Sequence, residues 1–353
     1  MSGYLFWLTR WVKGEIIAIP GRLLAAVFLL FLFLVPGVSS HPYFLDTLTL
    51  TAIFTIYAAS WDVLAGFTGQ VNLGHALFFG IAAYTVAFLN VHLGFPPWAT
   101  IPLGGLISVL GGFIVGFPAL RLRGIYLSLV TLGFPIILTG LILVFGAYTG
   151  GELGISGIAS LSGSSVKSYY IAMGVMVVSL FVMYKFTDAE SKIIRIGVIL
   201  HAIREDEITA RSSGINTTNY KLLAFAVSGF FGGIAGSLYA HSIRVAGPST
   251  LDLFLSFQAI LWTVFGGMRT IYGPVVGVFF LYPLTEFLRI YEIGEHLRFI
   301  AMAVVMIFIL LYMPEGLTIW VRDKMEVICP RCKLANMMIR RSCRACGAPL
   351  HLK

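Results

Sequence analysis

Four cysteines fall at the end of the chain, Cys329, Cys332, Cys343 and Cys346, reading C-x2-C, ten residues, then C-x2-C. Two such knuckles let four thiolates converge tetrahedrally on one zinc ion, and a module this short folds mainly because the metal holds it. Four sulfurs leave no open coordination position, so the zinc would be structural and not catalytic. An iron site of similar spacing and an unstructured cysteine tail are the other readings.

A second stretch with polar chemistry runs from Asp188 to Asn219. Ile196, Ile199, Leu200 and Ile203 recur at i, i+3, i+4 and i+7, one apolar stripe on a helix. Arg204, Glu205, Asp206, Glu207 and Arg211 crowd the following turns, with Glu207 and Arg211 spaced for an i, i+4 pair. Gly214 stands where a C-terminal cap belongs, and Asn216 to Asn219 suit the start of another helix. A third stretch, Gly66 to Tyr84 (GFTGQVNLGHALFFGIAAY), brings Gly69, Gln70, Asn72, Gly74 and His75 to the start of an apolar run. Polar side chains there need partners, which are each other, backbone, water or a transported solute. They are candidates for a pore or its gate, against the plainer reading of a structural histidine near a helix end. No GxxxxGK[ST], HExxH or GxSxG occurs, so the chain neither hydrolyses ATP itself nor is a membrane protease.

The elements that must position these groups are set by composition. The chain is 58% hydrophobic and 11% charged, against about 25% charged in a soluble domain. Apolar runs of about 20 residues recur along it, which makes it an all-α polytopic membrane protein of about ten transmembrane helices. The expected spans are 23–40, 43–64, 71–93, 98–120, 124–147, 168–187, 219–241, 250–268, 271–289 and 297–314. The first follows a basic segment with Arg10, Lys13 and Arg22, and its small-residue run Gly37 to Ser40 is also that of a cleavable signal; nine further spans favour an uncleaved helix. With both termini cytoplasmic, only Lys167, Arg244, Arg289 and Arg298 of the 24 Lys and Arg fall outside. The formal charge of +8 is therefore a topology signal and not a nucleic-acid footprint. Asp62 and Glu286 are acids within spans, near their ends, and no chain of acids marks a proton pump. The Gly- and Ser-rich loop from Thr149 to Ser165 lies on the outer face, where it meets a partner or is an idle connector. Clustered glycines, Gly104, Gly105, Gly111, Gly112 and Gly116 in one span and Gly229, Gly232, Gly233 and Gly236 in another, mark close helix packing. Gly266 to Gly277 (GGMRTIYGPVVG) interrupts two short spans.

Three separated motifs, GFTGQVNLGHALFFGIAAY at 66–84, HAIREDEITARSSGINTTNYKLLAFAVSG at 201–229 and YMPEGL at 312–317, resemble the permease subunits of branched-chain amino acid ABC importers. TGGELGISGI at 149–158 and the 266–277 segment are similar to that family's outer loop and Gly-rich segment. The resemblance covers roughly residues 40–320. It implies a plasma-membrane permease of a prokaryote, partnered by a second permease, two ATPase subunits and an external binding protein. Its substrate would be a branched-chain or related amino acid, with urea, amides or other small solutes as alternatives. It also implies that 196–214 is the coupling helix, whose apolar stripe enters a groove on an ATPase and whose charged turn fixes the register by salt bridges.

The expected organisation is a cytoplasmic segment 1–22, a permease domain 23–320 containing the insert 188–219, and a zinc-ribbon-like tail 321–353. That tail extends past the point where the family typically ends. Lys333, Arg340, Arg341, Arg344 and Lys353 make it basic, suited to membrane lipid or an acidic protein patch. From another class, a self-contained channel or secondary carrier with a zinc-bound regulatory tail remains the competing expectation.

Overall fold

The structure is a computed structural model that describes residues 20–38, 41–122, 124–189, 195–290, 294–332, 335–337, 342–343 and 346–350. Arg10, Lys13, Ser39, Ser40, Arg123, the 190–194 part of the insert, and Lys333, Arg340, Arg341, Arg344 and Lys353 lie outside those residues. Helix α1 spans Pro20–Val38, and α2 (Pro42–Thr68), α3 (Ala76–Leu93), α4 (Pro97–Ala119), α5 (Ile125–Val144) and α6 (Ser165–Thr187) follow. The insert forms α7 (Ile196–Glu205) and α8 (Glu207–Ser212); then come α9 (Thr217–Ile243), α10 (Leu253–Gly266), α11 (Tyr272–Ile290) and α12 (Glu295–Tyr312). Among the described residues, seven of these, α2, α3, α4, α5, α6, α9 and α11, are long and apolar enough to cross a membrane. The chain is thus an all-α polytopic membrane protein.

Residues Pro42–Gly316 make one compact unit. Its axis is α2, whose most apolar window is 94% buried, whereas that of α5 is 22% buried and leaves Ile125, Ile136 and Val144 exposed. Around α2 pack α6, α9 and α11, and α9 also lies against α3 and α4. The expected glycine clusters face each other there. A Cβ at Gly233 would lie 3.0 Å from Gly105 Cα, and one at Gly236 would overlap the Phe79 backbone, so these helices approach at distances that only glycine permits.

The expected span 250–268 is shorter in the structure. Helix α10 has 14 residues, about 21 Å at 1.5 Å each, less than the roughly 30 Å of hydrocarbon. Its start is set by Pro248–Leu251, a 3-10 turn packed beside Gly80, and by Asp252, whose carboxylate accepts the Phe254 N–H. Ser256 Oγ accepts the Ala76 N–H at 2.8 Å, so α10 begins against the first turn of α3, inside the bundle. An interrupted span of this kind is tolerated only where protein covers the freed backbone, and here it does.

The Thr149 to Ser165 loop is no idle connector. Its strand β1 (Ile155–Ser156) pairs antiparallel with β2 (Val245–Ala246), Ile155 opposite Ala246. Ile155, Ile158 and Ala246 are buried with Ala83, Val86, Ala87 and Ala240. Nδ1 of His241 bonds the Ala159 carbonyl at 2.6 Å and must be the donor, which leaves Nε2 to accept from the Thr100 hydroxyl at 2.7 Å.

The other unit comprises α1 and the tail from Leu317. In the tail, α13 (Leu317–Met325) leads into β3 (Glu326–Ile328), which pairs antiparallel with β4 (Ala335–Met337), Glu326 opposite Met337. Cys329, Cys343 and Leu350 form its small buried cluster.

Candidate functional site

Two centres emerge: a joint at the end of the bundle that carries the insert, and the cysteine cluster of the tail.

Helix α2 ends at Thr68, so the carbonyls of its last turn have no intrahelical donor. The guanidinium of Arg204, at the end of α7, supplies donors to two of them, the Ala65 carbonyl at 2.8 Å and the Gly66 carbonyl. A cation there also complements the negative end of the helix dipole. Beside it, the Phe67 and His201 rings meet edge to face at 5.5 Å. Glu205, the next residue, pairs with Arg269 at 2.7 Å, and the Arg269 backbone N–H donates to buried Asp62 at 3.1 Å. Gly66 is needed one turn beyond Asp62 because a Cβ would overlap the Asp62 carboxylate. Arg269 is held at φ 67°, a left-handed conformation unusual for a residue other than glycine. Gly316 of the YMPEGL motif, at φ 92°, lies against Gly266 and Gly267 with no room for a side chain. All the motifs of the membrane domain except the outer loop therefore meet at one place.

The turn 69–75 starts here, with Gly69 at φ 74° packed on the aliphatic stem of Arg204. Gln70, Asn72 and His75 are all buried. Trp61 Nε1 donates to the Asn72 carbonyl at 2.7 Å, and Asn72 Oδ1 accepts the Gly74 N–H at 2.9 Å. Gly74 presses on the Thr131 carbonyl, whose hydroxyl accepts the Leu73 N–H at 3.2 Å. Ser60 donates to the Tyr57 carbonyl, so it accepts from His75 Nε2 at 2.9 Å. Thr68 gives its one hydroxyl proton to the Leu64 carbonyl at 2.6 Å and meets one end of the buried Gln70 side-chain amide at 3.1 Å; the other end of that amide has no hydrogen-bond partner. Asn72 and His75 thus brace the turn, while Gln70 keeps one end of its side-chain amide unpaired.

The insert differs from one continuous helix. Asp206 adopts an extended conformation and caps α8, its carboxylate accepting from the Ile208 and Thr209 N–H groups and the Thr209 hydroxyl. Those bonds hold its carboxyl below the usual aspartate range, and capping is what a short acidic side chain does best. Gly214, at φ 84°, ends α8 with the Ile215 N–H on the Ala210 carbonyl, and Asn216 caps α9 through the Asn219 N–H; both fall where expected.

The apolar stripe faces inward. Leu200 and Ile203 are buried, Ile196 and Ile199 half-buried, and α7 packs on α2, α6 and α9, so the stripe seats the insert on its own bundle because burying it there removes apolar surface from water. The charged turn is also used within the chain. Glu207 accepts from Lys221 at 2.6 Å and Arg211 at 3.1 Å, tying α8 to the start of α9. What faces outward is Val198 and Ile208, 49% and 67% exposed, with Asp206, Arg211 and Ser212. Sequence reading passed over Arg269, Phe67 and His201; the positive charge of a lone arginine in the Gly-rich 266–277 segment was the available signal for the first.

In the tail, the four cysteine sulfurs lie within 4.8 Å of one another. Cys329 and Cys346 Sγ are 3.5 Å apart, and Cys332 and Cys343 Sγ are 3.4 Å apart. Sulfurs on a tetrahedral zinc with about 2.3 Å bonds sit about 3.8 Å apart, so the donor set fits the ion. The Cys332 N–H, aided by that of Arg331, draws the Cys329 thiol below its ordinary value, and Asn336 Nδ2 donates to Cys343 Sγ at 3.6 Å.

Residues 43–313 match the family described as the branched-chain amino acid transport system permease component. The high-affinity branched-chain amino acid transport system permease protein LivM of Salmonella typhimurium is 31% identical over 311 residues, covering 80% of this chain and 71% of that protein. LivM of Escherichia coli is 30% identical over 311 residues with the same coverage. The ribose import permease protein RbsC of Haemophilus influenzae is 26% identical over 283 residues, 77% of this chain and 85% of its own. The cysteines lie beyond residues 43–313, which match the family.

Proposed function

The chain belongs to the branched-chain amino acid transport system permease family, and on that premise we propose that it carries branched-chain or closely related amino acids into the cytoplasm. Members of the family are membrane permease subunits of prokaryotic ABC importers, translocation components and not enzymes, working with ATPase and substrate-binding partners. In this reading the partners are a second, different permease, two ATPase subunits and an external binding protein, with both termini of this chain on the cytoplasmic side. The insert is the ATPase contact. The observation that carries this is its two-faced seating, Leu200 and Ile203 buried in the bundle while Val198 and Ile208 stand exposed beside an internally neutralised set of charges. Those two side chains, and not the inward stripe, are the anchors offered to a groove.

Reconstitution with the four partners tests the reading. ATP-dependent uptake of radiolabelled leucine, isoleucine or valine, and none of urea or ribose, is the expected result. Uptake of ribose instead would favour the second reading, a permease for another small solute, which the similarity to a ribose permease supports. Uptake by the chain alone without ATP would overturn both.

We propose further that the tail's four sulfurs hold one zinc ion, which supports the β3–β4 hairpin. Elemental analysis of the purified chain should give one zinc per molecule, absent in Cys329→Ser. Because the metal supplies most of the folding energy of such modules, about 10 kcal/mol or more, chelation should unfold the tail and leave the spans intact.

A further inference from the structure

Arg204 and Glu205 are adjacent on the last turn of α7, yet they hold different elements. Arg204 holds the end of α2 through the Ala65 and Gly66 carbonyls, and Glu205 holds the α10–α11 loop through Arg269. The circuit closes without the insert, since the Arg269 N–H donates to Asp62 one turn inside α2. We propose that Arg204 and the Glu205–Arg269 pair form the pin through which displacement of the insert is delivered to the turn Gly69–His75. The proposal rests on the reading of the insert as the ATPase contact.

Magnitudes argue for position over stability. Glu205 and Arg269 side chains are 72% and 45% exposed, and an ion pair this exposed contributes little to stability. Against that, keeping Arg269 in the left-handed region is strained, where a glycine would be free. An arginine held at a cost there is explained by its side chain's hold on Glu205, since the N–H on Asp62 would be supplied by glycine too. The path onward is stiff. Gly69 follows the bonded carbonyls by three residues and lies on the Arg204 stem. From there Trp61, Ser60 and Thr131 fix the turn to α2 and α5, so it moves with the end of α2 and not independently. The partnerless end of the buried Gln70 amide is the group this motion would present to a passing solute.

The test uses the complex reconstituted with its ATPases, second permease and binding protein, with two readouts: leucine uptake per ATP hydrolysed, and an environment-sensitive unnatural amino acid at Val71, which is 40% exposed on the turn. Glu205→Arg and Arg269→Glu should each lower uptake per ATP at least tenfold and abolish the ATP-dependent signal at Val71. The double reversal should restore both, which neither a misfolded chain nor a lost ATPase contact would do. Arg204→Lys, with one donor centre in place of a fork, should fall between wild type and Arg204→Gln. Unchanged ratios in the single reversals, or no rescue in the double, would overturn the pin while ATP-driven uptake by wild type kept the transport reading. A wild-type complex without leucine uptake would sink the leucine assignment alone, because the Val71 signal still reports on the pin.

Discussion

His241 sits at the end of the bundle away from the insert, fully buried, with both ring nitrogens bonded and the Ile155, Ile158 and Ala246 cluster around it. At the insert end, Glu205 meets Arg269 in largely exposed side chains, and Arg204 is only half-buried on the α2 carbonyls. Breaking the first arrangement strands buried polar groups, which costs about 1–3 kcal/mol each; breaking the second exchanges one set of hydrogen bonds for water at small cost. One end is therefore a fixed seam and the other a joint whose alternatives lie close in energy. A two-state device needs its moving contacts to be of the second kind.

The comparison is broken most severely at Gly316. Gly316→Val adds a side chain at φ 92° into the Gly267 backbone, and overpacking together with backbone strain should cost about 3 kcal/mol or more, seen as loss of folded, membrane-inserted chain. Such a loss would show that the packed glycine contact, and not the exposed charged pair, supplies the stability of the joint. His241→Ala should lower stability by about 1–3 kcal/mol in thermal unfolding, by emptying a fully buried site and removing its bonds to Thr100 and the Ala159 carbonyl, while uptake per ATP stays at the wild-type value. A change in that ratio would mean the seam also moves. Glu205→Ala should sharpen the contrast from the other side, shifting stability by less than about 1 kcal/mol while uptake per ATP falls.

The smallest effect concerns pH. Burial, then Arg269 and Arg204, lower the His201 pKa from 6.5. The native insert thus binds fewer protons than the unfolded chain, so its stability is full above the ordinary histidine value and declines as pH falls below about 6.5. Hydrogen exchange in α7 should quicken on acidification through that window, and His201→Gln should remove the dependence.

Much of this was legible beforehand. Apolar runs marked the helices because a bilayer leaves backbone groups no other partner. Gly214 and Asn216 were read as caps from side-chain type alone. The cysteine spacing located the tail's centre, since ligands close in sequence need little else to converge. Misread features shared one cause. The stripe on α7 shows that a face is apolar, but an inward face on the chain's own bundle and an outward face on a partner have the same periodicity. Likewise, the charged turn reads as salt bridges for a partner plus the local Glu207–Arg211 pair, which the structure contains, because the other partners of Arg204, Glu205 and Glu207 at Ala65, Gly66, Arg269 and Lys221 are up to 139 residues away for Arg204.

What the sequence by itself determined is local: which segments are apolar enough to be helices in lipid, where capping residues start and stop them, and that four thiols recur at metal spacing. Only the tertiary structure decided that four motifs separated by up to 250 residues share one joint, and that Arg204 closes the end of α2. Periodicity and capping depend on neighbours within a few residues, whereas an orphaned carbonyl at a helix end accepts any donor that the packing of distant helices happens to bring within about 3 Å.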